Sequence, residues 1–215
     1  EELREYLELA MEGRRRVKEQ LKKRGSFEFY KTSFSYIDND EGIEKTVGVP
    51  EQGGTGAIAR EPQPPGVVFT AGTDDEGKVG LYRLESTATE GTGKLRVPTG
   101  LITPIRESVN RAMAYLQNVR TRLGIDVLLA KKDIYVEAVD LTGGNVAFGC
   151  GVAFYLAIIS ALQNRRVDGG TVVLGDLTIQ GNIKSLLSLI EPLTIAMENG
   201  AISALVPMSN KLQFT

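Results

Sequence analysis

The 215 residues carry 25 Lys and Arg against 27 Asp and Glu, a formal net charge of -2, far from the basic excess of a dedicated nucleic-acid module. No histidine is present and the one cysteine is Cys150, which excludes a Ser-His-Asp or Cys-His mechanism, an intramolecular disulfide and an ordinary zinc site within the chain. Acid–base chemistry is left to Lys, Asp, Glu, Tyr or Cys, and a reducing cytoplasm is the expected setting.

The length fits one domain with an appendage. Glu1 to Arg24 reads as a helix stopped by Gly25, with Leu3, Leu7, Ala10, Val17 and Leu21 forming an apolar seam that Arg14 interrupts. A start inside such a helix implies a partner or domain upstream. The run Arg14, Arg15, Arg16, Lys18, Lys22, Lys23 and Arg24 reads as a solvated face, or one paired with a neighbouring subunit, in preference to a phosphate-binding strip. Ser26 to Ile37 and Ile43 to Val49 are strand-like around Asp38-Asn39-Asp40-Glu41-Gly42, a hairpin signal. Glu51 to Pro65 is rich in Gly and Pro and reads as a linker, so a boundary is placed between 1–65 and 66–215.

Beyond it, Gly66 to Thr70 and Gly80 to Ser86 flank Asp74-Asp75-Glu76-Gly77 as a second hairpin. Thr103 is expected to cap a helix with Pro104 at its first position, Ile105, Val109, Ala112, Leu116, Val119 and Leu123 as its buried stripe, and Gly124 as its stop. Asp133 to Val139 is a predicted strand, followed by a glycine-rich turn and an apolar helix over Gly151 to Gln163. That helix is too short for a membrane span. Thr171 to Leu174 and Leu177 to Ile179 are read as strands, Leu186 to Glu198 as a helix that Ser185 would cap, and Ala204 to Pro207 as a last strand. This order indicates an α/β (α+β) fold with a mixed sheet and packed helices.

Gly66-Val67-Val68-Phe69-Thr70, Ile105-Arg106-Glu107-Ser108-Val109, Leu123-Gly124-Ile125 and Lys132-Asp133-Ile134-Tyr135-Val136 follow one another in the stretch from Gly66 to Lys211, which resembles the proteolytic domain of Lon-type proteases. Gly175-Asp176-Leu177-Thr178-Ile179-Gln180-Gly181-Asn182-Ile183, similar to the family's Gly-Glu-Ile-Thr-Leu-Arg-Gly-Gln-Val hairpin, and Asn199-Gly200-Ala201 through Asn210-Lys211 complete the set. The family implies a mixed-sheet fold and a Ser-Lys dyad, in which a lysine with a lowered pKa activates a hydroxyl nucleophile. Aligned on Gly175-Asp176, the serine's place falls on Gly149 and the lysine's on Pro192, while the acidic residue before the serine falls on Val146. Neither dyad position can do the chemistry, so a catalytically degenerate domain is expected.

Cys150, one residue from the serine's place, and Lys184, the nearest lysine, are the alternative nucleophile and base. A shift of one residue at a helix start turns a side chain by about 100°, and a buried, inert thiol and a surface lysine are the plainer readings of the pair. Ser185 and Ser188 would serve as nucleophiles only in another arrangement.

Further motifs, Gly13-Arg14-Arg15-Arg16-Val17-Lys18-Glu19-Gln20-Leu21-Lys22-Lys23, Phe34-Ser35-Tyr36, Pro65-Gly66 and Leu81-Tyr82-Arg83, are similar to the BrxL family. These are the Lon-like AAA+ proteins of bacteriophage-exclusion (BREX) systems. That likeness implies an upstream ATPase using ATP and Mg, a homo-oligomeric ring, DNA contact through the full assembly, other BREX proteins as partners, and no membrane. No Gly-x-x-x-x-Gly-Lys-Ser/Thr occurs here. The glycines of Gly143 to Gly151 are expected to serve a tight strand-to-helix turn. The expectations are therefore a non-proteolytic scaffold in phage defence or, alternatively, an active ATP-dependent Ser-Lys peptidase.

Overall fold

The computed structural model describes residues 33–37, 44–48 and 58–214. The expected helix over Glu1 to Arg24 lies outside the described residues. Two compact units divide between Gln52 and Gly53, within the glycine-rich stretch. In the first, β1 (Ser33–Ile37) and β2 (Glu44–Gly48) pair antiparallel, Phe34 opposite Val47, as the hairpin signal anticipates.

The second unit holds a six-stranded mixed sheet of β3 (Val67–Thr73), β4 (Val79–Glu90), β5 (Leu95–Arg96), β6 (Lys132–Asp140), β7 (Thr171–Val173) and β8 (Ser203–Leu205). The strand order is β5-β6-β4-β3-β7-β8. The centre is antiparallel, β3 on β4 and β4 on β6, and the two edges are parallel additions. Strand alternation sends side chains to two faces. Val68, Tyr82, Leu84, Ile134 and Val136 meet α1 (Thr103–Leu123) and α3 (Gly151–Gln163) on one face. Phe69, Ala71, Leu81 and Val172 meet Leu189 and the Ala196 face of α4 (Ile190–Glu198) on the other. A short α2 (Asp126–Lys131) links α1 to β6.

The helix α3 is apolar nearly all round because it lies between the sheet and α1. Phe154 and Ile158 are fully enclosed, and each such side chain contributes about 2–3 kcal/mol by leaving water. The stripe Ile105, Val109, Ala112 and Leu116 of α1 completes the same core, and α1 ends at Gly124, whose φ of 65° is the left-handed cap geometry that glycine adopts without penalty.

Several expected elements differ. Thr103 is inside α1 and caps nothing; Ile102 precedes the helix, and Arg106 ties the entry by donating to the carbonyls of Thr99 and Leu101. Leu177 to Ile179 is no strand but one side of a tight hairpin tip, held by the bridge Leu177–Ile183 and by the Thr178 amide donating to Asn182 O. The last helix starts at Ile190 rather than Leu186. Pro192 lacks the amide a longer helix would need, and Asn210 and Gln213 bind the backbone of residues 186–189 in its place. From Ile58 the stretch read as a linker is pinned down. Ile58 is buried, its amide donates to Asn199 O, and Gln63 bridges to Val167. Among the described residues no helix is long and apolar enough to cross a membrane.

Candidate functional site

The β6-to-α3 connection, residues 141–150, delivers the chain to the start of α3. Asp140 closes β6 and gathers the following loop. One carboxylate oxygen accepts from the Thr142 and Gly143 amides and the Thr142 hydroxyl, the other from the Asn145 amide at 2.6 Å. Burial raises the Asp140 pKa, but those donors outweigh it and leave the carboxyl below its usual range. Gly143 and Asn145 take positive φ, 73° and 50°, so this part of the loop is a genuine turn. Val146 and Phe148 then bury their side chains in the core and Cys150 stands just before the helix.

At that helix start the unpaired amides, which every helix leaves, are met by two side chains. Ser108, buried on α1, accepts from the Cys150 amide at 3.1 Å. Asp176, from the Gly175-Asp176 turn after β7, accepts from the Gly151 amide at 3.2 Å. The other Asp176 oxygen receives Arg111 Nη2 at 2.8 Å and Lys184 Nζ at 2.9 Å. Arg111 also reaches Ser108 Oγ at 3.1 Å and Glu107 at 3.4 Å. The result is an ion-paired knot, with the Asp176 side chain 10% exposed, Arg111 22% and Lys184 49%. Burial pushes Asp176 up, but the Lys184 hydrogen bond, the Arg111 and Lys184 charges and the Leu177 amide hold its carboxyl below the usual range.

None of this resembles a nucleophile with a base. Gly149 contributes no side chain, and Pro192 is buried in the first turn of α4, where a missing amide costs nothing. Cys150 is wholly enclosed; burial and the Asp176 charge push its thiol up, against smaller opposing effects of Ser108 and Arg111. A thiol held protonated is a poor nucleophile. Lys184 is half exposed and its Nζ is paired with Asp176, away from any hydroxyl it could serve as a base. Ser185 is exposed and lies four residues before Leu189, the residue that precedes α4, so it caps no helix; Ser188, one residue before Leu189, accepts from the Ile190 amide at 3.2 Å. The structure thus brings Gly149, Cys150 and Lys184 to one knot, through Asp176, and puts Pro192 on another element.

Sequence reading passed over Ser108 and Arg111. Ser108 falls three residues after Ile105 and so on the buried face of α1, and Arg111 falls three after Ser108. A polar pair at helical spacing inside an apolar stripe was the available signal. Among the described residues no group of three or more Cys, Asp or Glu gathers as a metal site. An apolar cleft of about 390 Å³ opens beyond Val152 and Leu177, lined by Tyr115, Tyr155, Leu174, Ile183, Leu205 and Pro207. It offers mainly apolar surface, with the Tyr115 and Tyr155 rings on its wall.

Residues 38–215 match the family described as the Lon protease (S16) C-terminal proteolytic domain. The chain is 35% identical over 210 residues to the Lon-like protease BrxL of Bacillus cereus (strain H3081.97), covering 97% of this chain and 31% of that protein. It is 36% identical over 213 residues to the Lon-like protease BrxL of Escherichia coli O9:H4 (strain HS), covering 99% and 31%. Against the Lon protease of Xanthomonas oryzae pv. oryzae (strain KACC10331 / KXO85) the identity is 28% over 132 residues, 61% of this chain and 16% of that protein. The chain therefore spans 31% of the length of the BrxL relatives it matches.

Proposed function

Since the chain belongs to the Lon protease C-terminal proteolytic domain family, we propose that it is a member in which catalysis has been given up and the fold kept for assembly. The observation that carries this reading is the pair Gly149 and Pro192 at the dyad positions. A hydroxyl nucleophile and its amine base each supply orders of magnitude in rate, and here neither is present. The likeness to the BrxL relatives over nearly the whole chain supports the finer reading: a Lon-like domain of a BREX-type AAA+ protein in bacteriophage defence. In that role the domain is one layer of a homo-oligomeric ring in the cytoplasm. ATP and Mg act at an ATPase outside these residues, and DNA or other BREX proteins engage the full assembly. Closed, head-to-tail rings are a common outcome of such heterologous contacts.

The alternative, an active ATP-dependent peptidase, draws on the word protease in the relatives' names. Against it stand the enclosed Cys150 thiol and the paired Lys184. The deciding experiment incubates the protein with a fluorogenic unfolded substrate and with a fluorophosphonate probe. The expected result is no turnover above buffer and no covalent adduct. An adduct on any residue of the Val146 to Ser188 stretch would overturn the reading. Ring assembly is tested separately, by sedimentation of the full-length protein with nucleotide across a range of concentrations; a monomer well above micromolar would remove the scaffold role.

A further inference from the structure

Glycine recurs at 149 and 151, and conformation does not explain it. Neither residue is among those with positive φ, unlike Gly143 earlier in the same connection. What they share is a neighbour. A methyl carbon built on Gly149 would stand 2.7 Å from Asp176 Cβ, 2.8 Å from its Cγ and 2.9 Å from its Oδ2. One on Gly151 would stand 2.6 Å from Asp176 Oδ1 and 3.1 Å from the Leu177 amide nitrogen. Carbon atoms in ordinary contact lie about 3.5–4.0 Å apart, so the two chain segments have approached as only glycine permits.

We infer that the dyad's nucleophile position is closed as well as vacated: the 175–177 turn has settled onto residues 149–151, and Asp176 locks it there. An acid also stands at this place in the family hairpin quoted above, so the inference concerns how near it comes and what holds it. Asp176 is not a side chain free to swing aside. One of its oxygens serves the Gly151 amide, and the other takes both Arg111 and Lys184. Its own carbonyl accepts the Lys184 amide at 2.8 Å, and Gly175 O accepts the Val152 amide at 3.3 Å. Any side chain at 149 must break this set before it finds room. Returning a serine to position 149 therefore does not return a nucleophile site. It forces apart α3, α1 and the hairpin tip.

The steric coupling stands whether or not the domain hydrolyses peptides, and the test uses no peptidase readout, so it and the proposed function fail separately. Urea midpoints are measured for Gly149→Ala in three backgrounds: the natural chain, Asp176→Asn, which keeps the crowding atoms, and Asp176→Gly, which removes them. The alanine lowers the midpoint in the first two and leaves it unchanged or raised in the third. Equal loss in all three overturns the inference. Should Asp176→Gly not fold, labelling of Cys150 by a small thiol reagent in native buffer decides. Gly149→Ala then speeds labelling tenfold or more beyond what its change in global stability accounts for, because the lock beside Cys150 has to yield. Labelling that tracks global stability alone overturns it.

Discussion

Asp140 and Asp176 stand at the two ends of the connection that leads into α3, and they hold it in opposite ways. Asp140 draws on Thr142, Gly143 and Asn145, all within five residues and, apart from the Thr142 hydroxyl, all backbone amides. Asp176 draws on Arg111 of α1, on Lys184 beyond the hairpin tip and on the Gly151 amide of α3. The first shapes a turn with neutral donors; the second binds three elements together with charge. Losing Asp140 should therefore be a local event, while losing Asp176 strands a cation in a partly buried place and uncaps a helix.

The strongest test of that contrast is Asp176→Asn. Removing one partner of a largely buried ion pair costs about 3 kcal/mol, and urea unfolding should show a loss of that order, with a lowered midpoint and unchanged slope. A loss below about 1 kcal/mol would mean that Arg111 finds water as readily as it finds Asp176. Asp140→Ala should cost less, about 1–2 kcal/mol for its lost hydrogen bonds, and should show itself as faster proteolytic cleavage between Leu141 and Phe148. Cleavage spread over the whole domain would contradict a local role.

Acidification sharpens the comparison further. Both carboxyls have folded-state pKa values below their unfolded ones, so the unfolded chain binds more protons as the pH falls. Their stabilisation is complete above the unfolded value of about 4 and is lost as the pH drops through the lower folded values. Urea midpoints should fall over that acid range, and Asp176→Asn and Asp140→Asn should each flatten the fall. A variant with the natural chain's acid slope would mean that its carboxyl carries none of the linkage. The smallest effect belongs to Lys184→Met. Its ammonium is half exposed, and such pairs are worth under about 1 kcal/mol. That small loss should shrink further when the natural chain and the variant are compared in 1 M salt.

The same contrast explains what could be read in the sequence. The apolar stripe of α1, the apolar run of α3 and the turn signal between β3 and β4 are local, and these elements could be placed from neighbouring residues alone. The Asp140 turn was legible in part, as a glycine-rich connection of the right length. The Asp176 knot was not, because Arg111 lies 65 residues from the aspartate and Lys184, 8 residues on, meets it only once the hairpin tip has formed. The late start of α4 escaped for a like reason. Apolar spacing runs back to Leu186, but Pro192 and the distant Asn210 and Gln213 take those backbone groups out of the helix. Likewise Gly149 and Gly151 read as turn residues, and the neighbour they make room for, Asp176, arrives only through the fold.

The grip of Asn210 and Gln213 on residues 186–189 also bears on the order in which the molecule is made. Its hydrogen bonds join residues 24 to 26 positions apart, and the later partner is always on the C-terminal side. During synthesis the strands and helices up to β7 can pack as they emerge, because domains condense as their segments become available. The backbone groups of Leu186, Leu187 and Leu189 that Asn210 and Gln213 bind have no such early partner. Those groups wait for Asn210 and Gln213, whereas Lys184 already has Asp176 upstream, so the lead-in to α4 is tied after the knot.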